Sequence, residues 1–284
     1  MPTKNVRSRV RRQPGKPGGE IAILPGNHRH WLDKMYCRYQ RPSVAETDPV
    51  SAVRSYSASL DREVVALIAS SLAYGNVTAI RGAVATVVKV MGASPSHFLK
   101  RQSKPSIRKA FQGFRYRFTS GAKFSGLLLA MRTILNDDGS LESRFEKGMP
   151  RSAPTVLPGV TAFAEYLRRR SPESLDHLIP DPSGKTAYKR LNLFVRWMVR
   201  HDDIDRGSWQ CVSPAQLIVP VDVHIHRVAL ALGWTQRRTA DIRTAIEVTR
   251  VLRQACPTDP LKYDFALVSA SQRGEALPQP IDVT

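Results

Sequence analysis

Two lysines and an aspartate between Leu178 and Ile225 are of residue types that could do covalent chemistry together. Lys185 lies in Gly184-Lys185-Thr186-Ala187, Lys189 follows one helical turn later, and Asp222 comes 33 residues after Lys189 in Val221-Asp222-Val223-His224. A lysine amine freed of its proton attacks an electrophilic carbon and forms a Schiff base. A carboxylate beside it stabilises positive charge developing on that carbon, or helps to deprotonate the nucleophile. A second chemistry is available to His201-Asp202-Asp203 together with Asp222, His224 and His226, because these are ligand types that hold a divalent ion over a phosphoester. Each group also has a structural alternative. Lysines commonly solvate a helix face, an Asp at a helix start is most often a cap, and the two histidines suit packing or bonding to backbone.

The elements that must position these residues read as helices. Asp61 precedes an apolar-rich segment through Leu72, and Ile80 to Met91 is followed by Gly92, a natural carboxyl-terminal stop. After Lys189, the residues Leu191, Phe194, Val195, Met198 and Val199 fall on one face of an amphipathic helix. Asp241 to Leu252 repeats the pattern through Ile242, Ala245, Ile246, Thr249 and Leu252. Leu217 to Ile225 alternates like a strand, but Pro220 lacks a ladder donor, so a helix from Val223 to Leu232 is expected, capped by Asp222 and stopped by Gly233. No repeat and no convincing series of β-hairpins is present, and the expected fold class is all-α.

The chain has 284 residues, is 42% hydrophobic and carries a formal net charge of +19, so it can bury a sizeable core and is not a wholly disordered basic protein. Residues 1–20 are a Pro/Gly/Arg/Lys stretch expected to be a disordered basic arm, and residues 21–284 a single two-lobed helical domain. The arm holds a net +5, which leaves +14 on the body. A body with that excess attracts polyphosphates, nucleic acid above all. Cys37, Cys211 and Cys256 lie far apart with no C-x-x-C pair, which argues against an iron–sulfur cluster, a closed zinc site or a disulfide scaffold. No run of about 18 apolar residues and no secretory pattern occurs, so a soluble cytoplasmic monomer is expected, with no membrane partner, no metal and no cofactor.

The stretch from Leu178 to Asp222, a Pro/Gly-containing turn, a basic helix and then Pro-Val-Asp-x-His-x-x-Arg, resembles the helix-hairpin-helix DNA glycosylase superfamily related to endonuclease III. Val221, Asp222, His224, Arg227 and Val228 match its aspartate motif closely. The hairpin match is looser, since Ile179-Pro180-Asp181-Pro182-Ser183-Gly184 replaces a glycine-rich turn. LIASSLAYG (67–75), KRLNLFVRWMVRHDD (189–203), LIVPVDVHIHRVA (217–229) and DPLKYDFAL (259–267) are similar to a narrower group, the uncharacterised family called domain of unknown function 2400, allied to archaeal 8-oxoguanine DNA glycosylases.

The resemblance implies a two-lobed glycosylase-like fold and base excision repair of an oxidised purine, with double-stranded DNA as partner and nucleoid association while bound. It implies Lys189 as nucleophile, because the spacing to Asp222 is similar to that of the archaeal relatives, with Lys185 as the alternative. Asp222 would be the catalytic carboxylate. Lys185, Arg190 and Arg227 would meet the DNA backbone. For the extruded base and the gap it leaves, the candidates are Tyr74, Asn76, Phe194, Trp197 and Asp264. Core packing is an equal alternative for Phe194 and Trp197, and a cap or ion pair for Asp264. A metal-dependent phosphohydrolase and a non-catalytic nucleic-acid-binding protein are the rival readings.

Overall fold

The computed structural model describes residues 22–184 and 186–278, which leaves the basic arm and Lys185 outside the described residues. Within them the chain is helical: α1 (Gly26–Tyr39), α2 (Pro42–Ala45), α3 (Val50–Arg54), α4 (Ser59–Ser71), α5 (Val77–Met91), α6 (Pro95–Arg101) and α7 (Lys104–Phe111) come first. A two-stranded antiparallel hairpin follows, β1 (Arg115–Tyr116) and β2 (Thr119–Ser120). Then come α8 (Gly121–Asp137), α9 (Leu141–Lys147), α10 (Leu157–Arg170), α11 (Lys189–Val199), α12 (Val223–Ala231), α13 (Ile242–Ala255) and α14 (Asp264–Gln272). The all-α expectation holds. The hairpin departs from it, and two residues per strand are too few to show alternation in a sequence.

Helix α4 is apolar almost all round, and Val64 to Ala69 are fully buried, the mark of a helix enclosed by others. It packs on α3, α5, α6, α9 and α11. Its charged first turns hold its neighbours. Asp61 Oδ1 accepts from Ser94 Oγ at 3.0 Å and from the Ser96 N–H at 2.8 Å, at the start of α6. Glu63 accepts from the Leu141 N–H at 2.7 Å, the Glu142 N–H at 3.3 Å and Trp209 Nε1 at 2.9 Å, at the start of α9. Free N–H groups at a helix start need such acceptors.

A second group forms where α14 packs against α1 and α12. Between the groups runs α11, docked on α4 with Leu191, Phe194, Val195, Met198 and Val199 buried as the periodicity predicts. Each of those side chains contributes about 1.5 to 3 kcal/mol by leaving water. Leu217 to Asp222 is irregular rather than a strand, with the Val219 N–H donating to Thr249 Oγ1 at 3.0 Å. Helix α12 starts where the Asp222 cap places it, and Gly233, at φ +70°, lies two residues past its end.

Candidate active site

Helix α11 begins abruptly. Tyr188, the residue before Lys189, is left-handed at φ +50°, a conformation that costs a non-glycine residue about 1 kcal/mol and that recurs at functional sites. Local bonds hold it there: its N–H donates to Thr186 Oγ1 at 3.1 Å, its hydroxyl to the Pro182 carbonyl at 3.2 Å, and Asn192 Nδ2 donates to the Ala187 carbonyl at 3.0 Å. Lys189 is thereby the first helical residue. Its Nζ lies 3.8 Å from Asp222 Oδ2, although the two belong to different helices.

The Asp222 carboxylate divides its work between its oxygens. Oδ1 accepts the His224 and Ile225 N–H groups, both at 2.9 Å, and so caps α12. That cap fixes the side-chain rotamer and leaves Oδ2 for the lysine. The cap that the sequence suggested is present, and the second oxygen faces an amine.

Lys189 lines an open cavity of about 610 Å³, together with Tyr74, Phe118, His177, Tyr188 and Arg190. Arg190 Nη1 donates to the Ser71 carbonyl at 2.9 Å and to the His177 carbonyl, and its guanidinium stacks 5.3 Å from the centre of the Tyr74 ring. It ties the end of α4 to the loop before α11. The Tyr74 hydroxyl lies 2.8 Å from Thr119 Oγ1 and donates to the Tyr116 carbonyl at 3.2 Å, while the Tyr116 hydroxyl returns a bond to the Tyr74 carbonyl. Gly75, at φ +102°, allows this approach: a Cβ there would lie 2.7 Å from Arg117 Nη1.

Behind the pair lies a buried ionic cluster. Arg196 bonds Asp264 at 2.6 Å and Asp205 at 3.0 Å, and Arg200 bonds Asp205 at 2.6 Å and Asp259 at 2.9 Å. Burial pushes the Asp264 carboxyl up to about 6 against the pull of Arg196, and the neighbouring charge of Asp222 adds to the rise. Asp264 Oδ1 is buried without a hydrogen-bond partner. Burial also raises the Asp48 carboxyl, against the pull of the Val50 N–H it accepts at 2.9 Å and of the Arg196 charge.

Several expected site residues fall elsewhere. Phe194 is fully buried, stacked on Phe163 and edge-on to Trp209, and Trp197 is buried beside it in the core. Neither lines the cavity. Asn76 accepts the Ala79 N–H at 2.8 Å and caps α5, a task that engages its side chain locally. Tyr74 does line the cavity, but its hydroxyl anchors the hairpin. Asp264 takes the ion-pair alternative. Arg190 is committed to two carbonyls rather than to a phosphate, and exposed Arg227 reaches Ser271 Oγ at 2.9 Å on α14. Tyr188, His177 and Phe118 line the cavity and were not singled out by sequence.

The residues proposed for a metal are engaged one by one. His201 Nδ1 meets the Gly207 carbonyl at 3.2 Å, Asp202 accepts from the Ile204 and Asp205 N–H groups at 2.8 Å, and His226 Nε2 meets the Arg237 carbonyl at 2.8 Å. Among the described residues no three His, Cys, Asp or Glu side chains are grouped to hold a metal ion. No single described helix is long and apolar enough to cross a membrane.

A family model described as "Protein of unknown function (DUF2400)" matches residues 48–273. No curated protein and no solved structure matches the chain.

Proposed function

The chain belongs to the DUF2400 family of proteins of unknown function, and we propose that it is a DNA glycosylase with lyase activity that removes an oxidised purine such as 8-oxoguanine. The observation that carries this is the meeting of Asp222 Oδ2, at 3.8 Å, with the Nζ of Lys189, a residue that lines the cavity. An amine and a carboxylate brought together from two helices suit a reaction that needs a nucleophile and a stabiliser of positive charge at one carbon. A cavity of about 610 Å³ is within the range that takes a small-molecule-sized group. The sequence resemblance supports a helix-hairpin-helix arrangement in which the Asp181–Gly184 turn precedes α11 and α12 supplies the carboxylate. The charge of +14 on residues 21–284 supports a duplex DNA partner.

In this mechanism Asp222 Oδ2 steadies the positive charge that builds on the deoxyribose as its bond to the base stretches. Nζ, after losing a proton, bonds to C1′ as the C1′–N9 bond breaks. The bonding pair leaves with the base, which takes up a proton. Opening of the sugar gives an iminium at C1′, and loss of a C2′ proton then expels the 3′ phosphate by β-elimination.

Borohydride trapping on a duplex bearing 8-oxoguanine tests this. The wild-type chain should give a covalent adduct that chelator does not prevent. Lys189→Gln should abolish the adduct while leaving DNA binding largely intact, and Lys185→Gln should retain it. An adduct that survives Lys189→Gln and vanishes with Lys185→Gln would move the nucleophile to Lys185. Tight duplex binding without base release or adduct would leave a nucleic-acid-binding protein and refute the enzyme.

A further inference from the structure

From Val64 to Asn136 the chain has eleven Lys and Arg residues and no Asp or Glu. The hairpin β1–β2 stands inside this stretch, with Arg115 and Arg117 exposed on it. Lys104, Arg108 and Lys109 on neighbouring α7 are exposed as well, Arg108 being paired with Glu173 at 3.0 Å. Solvated charge of one sign over so long a run is the footprint of a polyanion partner rather than of a protein core.

At the tip of the hairpin an apolar ring faces solvent. Of the described Phe, Tyr and Trp side chains, Phe118 alone is exposed, at 65%. A large apolar side chain gains nothing by standing in water, so its presentation needs a partner or a constraint. The constraint is visible: Arg117 is left-handed at φ +48°, and Tyr74 and Tyr116 pin the strands on both sides. Phe118 also packs against His177, with ring centroids 5.3 Å apart. These two side chains line both the Lys189 cavity and a neighbouring one of about 560 Å³, so they form the partition between them.

We infer that Phe118 is a stacking element for nucleic acid: its ring lies against a base of the duplex beside the nucleotide held at Lys189, while the flanking arginines meet the phosphates. This rests on the glycosylase proposal for the identity of that nucleotide. A flat apolar ring rimmed by cations matches a base face joined to a phosphate chain, and base–aromatic stacking is indifferent to sequence.

The test is a Phe118→Trp variant of the full chain. The four native tryptophans, Trp31, Trp197, Trp209 and Trp234, are all buried, so acrylamide quenching in the variant reports on the introduced indole. On binding a short duplex with a tetrahydrofuran abasic-site analogue, followed by anisotropy, quenching should fall to the wild-type level. Phe118→Ala should lower affinity for that duplex about tenfold, with Phe118→Trp restoring it and thermal unfolding unchanged in both. An introduced indole that stays accessible while the duplex is bound overturns the inference, and the glycosylase proposal survives if excision proceeds. Protection of the indole in a chain that releases no base and traps no adduct upholds stacking and refutes the enzyme. No binding by the wild-type chain refutes both.

Discussion

Replacing Asp222 by Asn separates its two jobs, since one oxygen caps α12 and the other faces the lysine. Asn caps as well as Asp, so the bonds to the His224 and Ile225 N–H groups should persist. What is lost is the charge at Oδ2. The sugar carbon must come within bonding reach of Nζ, and therefore lies about as far from Oδ2 as Nζ does. At 3.8 Å two unit charges attract by about 4 kcal/mol at an effective dielectric of about 20, and by about 1 kcal/mol in bulk water. The Asp222 side chain is 15% exposed and that of Lys189 40%, so the site lies between these limits until DNA covers it. A loss of about 2 to 4 kcal/mol of transition-state stabilisation slows excision about thirty- to a thousandfold. The lost ion pair, being partly solvated, contributes at most about 1 kcal/mol to folding, so thermal unfolding should move by no more than about 4 °C. Asp222→Ala removes cap and charge together and should unfold a further 2 °C or more lower, from about 1 kcal/mol of lost capping. Single-turnover excision on duplex bearing 8-oxoguanine, with unfolding followed on the same samples, measures both. Near wild-type excision by Asp222→Asn, with a lowered melting temperature only in Asp222→Ala, would reduce the residue to a cap and refute the reasoning.

Two further outcomes follow from the electrostatics. Arg196→Met leaves Asp264 buried without its cation, which should cost about 3 to 5 kcal/mol at neutral pH; because Asp264 already titrates at about 6, the deficit in denaturant unfolding should shrink at pH 5, and equal deficits at pH 5 and 7.5 would refute this. Asp241, the cap of α13, would be raised by burial, but Arg237, the Thr244 N–H and Thr239 hold it at about 2, below its ordinary 3.8. Its contribution of about 2 kcal/mol is therefore present above pH 4 and lost as pH falls through 2; Asp241→Asn should be less stable than wild type by that amount at neutral pH and equal to it near pH 2, which acid titration of the two proteins checks.

Much of the site was legible because capping chemistry and helical period are local. Asp222 at the start of α12 and the buried face of α11 both follow from neighbours within a few residues. The meeting of Lys189 with Asp222 was carried by motif resemblance and not by local physics, since nothing in 33 residues of chain dictates how two helices cross. Phe194 illustrates the limit of judging by residue type alone. Five residues after Lys189 places it about 140° round the helix, pointing away from the lysine into the core against α10. The same arithmetic puts Arg196 and Arg200 within about 20° of Lys189, on the stripe that meets the buried carboxylates; that periodicity was in the sequence, but their partners Asp205, Asp259 and Asp264 were not assignable without the fold. Phe118 was invisible for the opposite reason: an aromatic in a basic loop reads as one more core residue until its exposure is known.

The division of labour within Asp222 bears on how the family can diverge. A chain that lost its reaction would still need an acceptor at the start of α12, so selection for folding alone retains Asp or admits Asn, Ser or Thr there. Lys189, half-buried and outside the apolar core, caps nothing and has no comparable hold. If the proposed reaction is real, the aspartate would outlast it in a lineage that gave it up, and loss of the lysine would be the earlier sign.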